Sequence, residues 1–243
     1  MRTTFHSLLI LVGVAGLACS GIAPEGGIYY ASGEGSVTPD GLHLVKHEPF
    51  RISYVKPGAD LQRYNKVLVQ EVTVSYKTPP DPNKRSRATI NPNYALPDSA
   101  IESLKRYFHD AFVKELGRSS KFSVADAPGP DVLLITGHIV NLHIQMPPER
   151  DQAVDETDFA TSTGQMTLIL DARDSTSGEP LVRVGQGRAI QNFDGGFYQS
   201  DPVSNSSAVR EMFHRWASDL RLELDQFHRL PALPAVAAPT PPK

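Results

Sequence analysis

Alternating apolar and polar positions predict a series of strands through the middle of the chain. Valine-rich residues 66–76 are predicted as one strand, with Val67 and Val69 on one face and Val72 on the other. Residues 121–124 predict a short strand. Residues 131–144 carry apolar side chains on both faces, which is typical of a central strand. Residues 165–172 and 181–190 flank a turn-forming segment at 174–179 and predict a hairpin.

Two longer segments repeat their apolar residues at helical spacing. In residues 99–116 an apolar stripe follows Ser99 and Glu102, which match a capping box, and Gly117 is expected in the left-handed position that ends many helices. Residues from about 206 to 227 form a second, longer stripe that includes Phe213 and Trp216.

These elements predict an α+β fold. The expected architecture is a two-layer sandwich, in which a mixed, antiparallel-rich sheet of about 4–6 strands carries two main helices packed on one face. The aromatic residues of the two helical stripes should then form the core, and they are Phe108, Phe112, Phe213 and Trp216.

The amino-terminal end has the pattern of a secretory signal peptide. Arg2 precedes an apolar run over residues 8–18, which is shorter than the roughly 20 residues that a membrane span requires. The next residue, Cys19, is the only cysteine. Residues 16–19 resemble the lipobox of bacterial lipoproteins, and this resemblance implies cleavage before Cys19 and acylation of Cys19. The alternative is an ordinary secretory signal that ends at Ala18.

The predicted organisation therefore has four parts. Residues 1–18 are the signal peptide, residues 19–39 a lipidated amino terminus and flexible tether, residues 40–229 a single periplasmic α+β domain, and residues 230–243 a disordered Pro/Ala-rich tail. By resemblance to lipoproteins, Ser20 in place of an aspartate implies a lipid-anchored position at the periplasmic face of the outer membrane.

Charge excludes one class of partner. Removal of the signal peptide takes Arg2 with it, leaving 23 Lys and Arg against 27 Asp and Glu and a net charge of −4. The mature chain lacks the basic balance of nucleic-acid-binding proteins, so we expect no nucleic-acid partner. A single cysteine also cannot form an internal disulfide.

Recognisable catalytic motifs are absent from the sequence, and no catalytic, cofactor-binding or metal-binding residue is predicted. The G-x-S-x-G, H-E-x-x-H and P-loop patterns do not occur. Gly185 and Gly187 lack the third glycine of a dinucleotide fingerprint and are more typical of a bulge. His138 and His143 are predicted on opposite faces of one strand, where they could not share a metal ion.

Other polar residues admit weaker functional interpretations. His109 and His214 lie on the predicted helices and could pair with a carboxylate only through the fold. Acidic residues around Asp155 are expected to be a solvated loop rather than a cation site. A basic cluster of Lys84, Arg85 and Arg87 could contact anionic headgroups, although solvation is the simpler expectation.

Several segments together resemble a family of bacterial lipoproteins known as domain of unknown function 3313. They are residues 40–42, the P-G-A-D-L segment at 57–61 within residues 53–61, Tyr64 with the strand after it, Tyr107 and Phe108 in the first helix, residues 130–133, and the hairpin. The resemblance implies an envelope location and an α+β fold. It implies no activity and no catalytic residue.

The leading hypothesis is a non-enzymatic outer-membrane lipoprotein, anchored in the bilayer through acylated Cys19, that binds an unidentified protein partner in an envelope complex. One alternative is a module that binds a small apolar or lipid-like ligand between helix and sheet. Another is an envelope hydrolase whose polar residues converge only in the folded chain.

Overall fold

The computed structural model describes residues 29–46, 49–77, 96–144, 159–160, 164–190, 198–199 and 202–233. The predicted signal peptide, Cys19, the Lys84 basic cluster and the acidic loop around Asp155 lie outside these residues. No helix in the described ranges is both long and apolar enough to cross a membrane.

The described part contains two helices and a mixed sheet of eight strands, with a separate two-stranded pair. The strands are β1 (His43–Val45), β2 (Ile52–Val55), β3 (Lys66–Val69), β4 (Thr73–Tyr76), β5 (Ser123–Val124), β6 (Val132–Ile144), β7 (Phe159–Ala160), β8 (Gly164–Asp174), β9 (Pro180–Ile190) and β10 (Tyr198–Gln199). The helices are α1 (Asp98–Leu116) and α2 (Pro202–Phe227). The predicted α+β sandwich is confirmed.

The sheet runs in the order β1-β2-β9-β8-β6-β3-β5, and β4 also pairs with β6. Strand β6 is central, as its two apolar faces predicted: it is antiparallel to β8 and parallel to β3 and β4. Strands β8 and β9 form the predicted hairpin. The eight strands exceed the expected 4–6 because β1 and β2 are too short for a periodic signal and because the predicted strand over 66–76 is two strands.

The break between β3 and β4 corrects the predicted faces of that strand. Gln70 leaves the strand conformation, although its N–H still donates to the carbonyl of Ile135. The interruption turns Val72 inward, and Val72 joins Val67 and Val69 in the core with 2% of its surface exposed. A strict two-residue period over 66–76 was therefore wrong.

A bulge in β6 shifts the pattern a second time. Asn141 has a φ of 55°, and the register with β8 slips between Val140 and His143. Because of this slip, His143 pairs with Gln165 on the same face as His138, which pairs with Ile169. The prediction that the two histidines lie on opposite faces was wrong.

The end signals of α1 also differ from prediction. Pro97 occupies the N-cap without a side-chain hydrogen bond, so the expected capping box of Ser99 and Glu102 does not form. The first turn instead uses the carbonyl of Pro97, which accepts from Ala100 and Ile101. Gly117 has a right-handed φ of −65° rather than the left-handed conformation.

Both helices cover one face of the sheet and enclose the core. The predicted aromatic residues Phe108, Phe112, Phe213 and Trp216 are all fully buried. Phe108 stacks on Phe112 with ring centroids 4.2 Å apart and meets Phe213 edge-on at 5.8 Å. The interior between helices and sheet is thus filled by side chains.

The ordered fold extends beyond both expected domain boundaries. On the amino-terminal side, Tyr30 and Val37 form bridges to Val45 and His43, so residues from 29 onward already pack on β1. On the carboxyl-terminal side, Leu233 is 2% exposed. It exchanges backbone hydrogen bonds with Gly58 and Ala59, three residues past the expected start of the tail.

Candidate functional site

One face of the sheet carries no helix in the described part of the chain. The helices cover the sheet face to which Gly137 belongs. The strand residues that alternate with this face, such as Thr136 and His138, therefore point away from the helices. The strand register aligns these residues in rows, one from Thr136 through Asp171 and Arg183 to Tyr54 and the next from His138 through Ile169 and Gly185 to Ile52. We call this surface, together with Leu134, Val140, Thr167 and Gly187, the open face.

Apolar side chains on the open face remain partly in contact with solvent. Leu134, Val140, Ile169 and Tyr54 are half-buried, and Ile52 is 46% exposed. None of them belongs to the core cluster on the helix side. Partly exposed apolar residues on a sheet face without a covering helix make this face a candidate interaction surface.

A charge network lies among these apolar residues. Asp171, 3% exposed, receives hydrogen bonds from Arg183 Nε at 2.6 Å and Arg173 Nη2 at 2.8 Å, and Arg183 also bridges to Asp40 at 2.9 Å. Burial raises the pKa of Asp171, but hydrogen bonds from Arg183 and Arg173 outweigh it, so the net pKa is lowered. The network therefore holds fixed charges on a rigid surface.

Two glycines form a shallow trough along β9. Gly185 and Gly187 both point to the open face, between Ile169 and Thr167 of β8 and the end of β2. The register is continuous at both positions, so they do not mark the bulge that their spacing suggested. They leave the backbone of β9 open to a partner side chain.

The P-G-A-D-L segment and Tyr64, which are part of the family resemblance, have a structural role. Tyr64 donates a 2.8 Å hydrogen bond to Asp174, and Asp174 accepts from the backbone N–H groups of Ser177 and Thr176. The Ser177 N–H, with these other donors, lowers the pKa of Asp174 to about 2, and burial with the Asp174 bond raises the pKa of Tyr64. Tyr64, which follows the P-G-A-D-L segment, thus joins this part of the chain to the turn of the β8–β9 hairpin.

A glycine turn completes this structural role. Gly58 has a φ of 74°, a conformation that favours glycine, and its N–H donates to Leu233. The carbonyl of Tyr64 lies 3.1 Å from Nε2 of His228, just after α2. Residues 57–64 therefore connect the β8–β9 hairpin of the sheet to the end of α2.

Under α2 lies a buried carboxyl group that sequence reasoning missed. Glu223 is fully buried beside Ser53 of β2, and neither its oxygens nor the Ser53 hydroxyl has a hydrogen-bond partner in the described structure. Burial raises the pKa of Glu223 to about 8, and the nearby charge of Asp219 adds to this. Asp219 itself is paired with Arg188 at 3.0 Å. Glu223, at the centre of this cluster, is closed to solvent, and the cluster therefore affects the stability of the fold.

A groove between α1 and α2 is lined mostly by polar residues. The lining residues are Arg106, Tyr107, Asp110, Ala111, Arg210 and His214. His214 Nδ1 lies 3.2 Å from Glu115 Oε1, and Glu115 also accepts two hydrogen bonds from Arg118. A histidine–carboxylate pair through the fold, one of the weaker functional interpretations of the sequence, is therefore present at His214. His109 instead lies 3.8 Å from its sequence neighbour Asp110.

Metal-ligating groups do not converge in the described ranges. No cluster of three or more His, Cys, Asp or Glu side chains with metal-binding geometry occurs there. His138 is instead bonded to Thr73 Oγ1 at 2.8 Å. The predicted lipidation site, Cys19, lies outside the described residues and stays a prediction.

A family model matches the part of the chain that contains the segments resembling the DUF3313 family. The model described as Protein of unknown function (DUF3313) matches residues 40–220. The chain belongs to this family. The matched range contains the open face, α1, the P-G-A-D-L segment and the larger part of α2, and the family description assigns them no activity. No curated protein matches the chain in sequence.

Solved structures show more distant similarity to this DUF3313 protein. The PelC dodecamer from Paraburkholderia phytofirmans has 13% identity and a TM-score of 0.33, over 70% of this chain and 96% of that one. A neuraminyllactose-binding hemagglutinin homolog from Helicobacter pylori has 13% identity and a TM-score of 0.32, over 74% and 91%. A DUF330 protein from Xanthomonas campestris has 13% identity and a TM-score of 0.34, over 72% and 93%. At these scores the similarities carry no functional argument.

Proposed function

We propose that this DUF3313 protein is a non-enzymatic accessory lipoprotein of the bacterial envelope, which binds a partner protein through its open face. In this proposal acylated Cys19 anchors the chain at the periplasmic side of the outer membrane. The observation that carries the proposal is the open face itself: a rigid, partly apolar sheet surface without a covering helix in the described structure.

The composition of the open face favours a protein partner. Tyrosine and arginine are enriched in protein interfaces, and here Tyr54 and Arg183 lie beside the apolar residues Ile52 and Ile169. The open face spans four neighbouring strands, which is a wider surface than a small ligand covers. A broad surface of mixed apolar and charged residues suits another folded protein.

The two alternatives receive less support. A small apolar ligand between helix and sheet would need space that Phe108, Phe112 and Trp216 already occupy. For a hydrolase, the His214–Glu115 pair is the relevant geometry. Because Arg118 also binds Glu115, we interpret the His214–Glu115 pair as a structural link between α2 and α1, and the groove lining contains no serine, threonine or cysteine.

A matched pair of exposed residues tests the proposal. Ile52 on the open face and Leu222 on α2 are 46% and 45% exposed, so they differ in location but not in accessibility. A photo-crosslinking amino acid is placed at either position of the full chain in the cells that produce it. We expect crosslinked protein partners from position 52 that are absent from position 222, as identified by mass spectrometry.

Charge substitution provides the second measurement. Ile52→Arg should reduce recovery of those partners in affinity purification, whereas Leu222→Arg should leave recovery unchanged, with both variants folded by circular dichroism. Equal crosslinking at both positions, or equal recovery with both variants, would contradict binding through the open face.

A further inference from the structure

The groove between the two helices brings together two arginines that form no ion pair with a carboxylate in the described part of the chain. Arg106 and Tyr107 are adjacent on α1, and Arg210 reaches them from α2. The guanidinium carbon of Arg210 lies 4.3 Å from the centre of the Tyr107 ring, and that of Arg106 lies 5.6 Å from it. Neither arginine forms an ion pair within the described ranges, unlike Arg118, Arg173, Arg183, Arg188 and Arg215, which do.

The phenol of Tyr107 is the point where the two cations converge. Arg210 Nη2 donates to the Tyr107 hydroxyl at 3.0 Å. This bond, supported by Arg106, lowers the pKa of Tyr107. Both arginine side chains are exposed, and each guanidinium carries five N–H donors, of which the Tyr107 hydroxyl accepts one or two at most, so donors remain for a ligand.

The groove lining contains one carboxylate, Asp110, which lies one turn after Arg106 on α1; within the described residues it forms an ion pair with its neighbour His109 at 3.8 Å and none with either arginine. Two arginines against one aspartate leave the groove with a net positive charge. His214, one turn after Arg210, is held by the buried Glu115. The Arg106–Tyr107–Arg210 cluster therefore has positive charge, outward donors and a fixed scaffold of two packed helices.

We propose that Arg106, Tyr107 and Arg210 form a binding site for a phosphate group. Two guanidinium ions can each donate paired hydrogen bonds to the tetrahedral oxygens of a phosphate, and the phenol can donate a further one. The same chemistry fits the phosphodiester of an anionic lipid headgroup and the phosphate of a soluble metabolite. This site is independent of the open face, so either proposal can fail while the other stands.

The test uses the full chain in neutral detergent micelles and follows the ¹H–¹⁵N signals of arginine side chains by nuclear magnetic resonance. One arm titrates glycerol 3-phosphate and inorganic phosphate. The other arm adds phosphatidylglycerol or, for comparison, zwitterionic phosphatidylcholine to the micelles. The variants are Arg106→Gln and Arg210→Gln, and the matched control is Arg215→Gln, which removes one charge from α2 outside the groove.

We expect saturable shifts of the Arg106 and Arg210 signals and about tenfold weaker binding in either groove variant, the factor typical of losing one charge-assisted hydrogen bond. Arg215→Gln should bind as the unmodified chain does. Binding of phosphatidylglycerol alone identifies a lipid headgroup as the source, and binding of the soluble phosphates identifies a metabolite. The absence of saturable shifts in both arms, or equal weakening by Arg215→Gln, would overturn the site.

Discussion

The ring of Phe108 lies directly over the backbone of Gly137, so closely that a side chain at position 137 has no room. A Cβ atom at Gly137 would lie 2.5 Å from Cζ of Phe108 and 2.7 Å from its Cε2. This contact seats α1 on the central strand β6. Glycine at this position is therefore required by packing and not by backbone conformation.

Gly137→Ala should destabilise the domain by about 1–3 kcal/mol, because the added methyl group forces Phe108 out of its position in a filled core. Gly185→Ala is the matched control, since a Cβ there meets its first neighbour, Ile169, only at 3.9 Å. Denaturant unfolding of both variants measures the difference. Equal free energies of unfolding would show that α1 does not sit on β6 in this way.

Sequence patterns predicted the elements of this fold better than the connections between them. The stripes of α1 and α2 were correct because a helix buries one face over many turns, which repeats the signal at Phe108, Phe112, Phe213 and Trp216. The pattern failed at Val72 and Asn141, where a break and a bulge shift the two-residue period. Such irregularities depend on tertiary contacts and leave no periodic signal.

Truncation of a core aromatic residue tests the helix packing independently. Phe112→Ala and Trp216→Ala should each lower the free energy of unfolding by about 3–5 kcal/mol, because both side chains are fully buried. Leu222→Ala, at an exposed position of α2, should stay within about 0.5 kcal/mol. Thermal or denaturant unfolding gives the comparison, and an unchanged midpoint for either aromatic variant would contradict the core assignment.

Two truncations separate the fold from the tail. Ending the chain after Leu230 removes Leu233, its buried side chain and its two backbone hydrogen bonds with Gly58 and Ala59, so the melting temperature should fall by several degrees. Ending it after Leu233 should leave the melting temperature unchanged. If both truncated chains melt together with the full chain, Leu233 contributes nothing to the fold.

The candidate sites were harder to predict than the fold, for a physical reason. Arg106 and Arg210 are about a hundred residues apart in sequence, and only the packing of α1 on α2 brings them to Tyr107. Likewise, Glu223 occupies an ordinary polar position of a helix by pattern, and only the position of β2 buries it. Single-sequence patterns report which face is apolar and contain little about which polar residues meet.

The anchor prediction concerns Cys19. Cys19→Ser removes the thiol that would accept the lipid, so the variant should accumulate as an uncut precursor or as a soluble periplasmic product. Membrane fractionation and mass spectrometry of the amino-terminal peptide distinguish these forms from an acylated one. A normally processed variant in the outer-membrane fraction would exclude lipidation at this residue.

Glu223 should make the stability of the domain fall as pH rises. Its pKa in the folded chain is about 8, above its ordinary value of 4.5, so between these values the folded state holds a proton that the unfolded state has released. The stabilising effect of that proton is complete below pH 4.5 and is lost on the way to pH 8. Glu223→Gln removes the titration while it keeps the shape of the side chain.

The difference in free energy of unfolding between Glu223→Gln and the unmodified chain isolates this group, because the two proteins differ only at residue 223. Between pH 5.5 and 8.5 the variant should gain about 3 kcal/mol relative to the unmodified chain, since each pKa unit corresponds to about 1.4 kcal/mol. Glu211→Gln, at an exposed position of the same helix, should show no such trend. A constant difference across this pH range would mean that Glu223 is ionised in the folded protein and has a partner or solvent access.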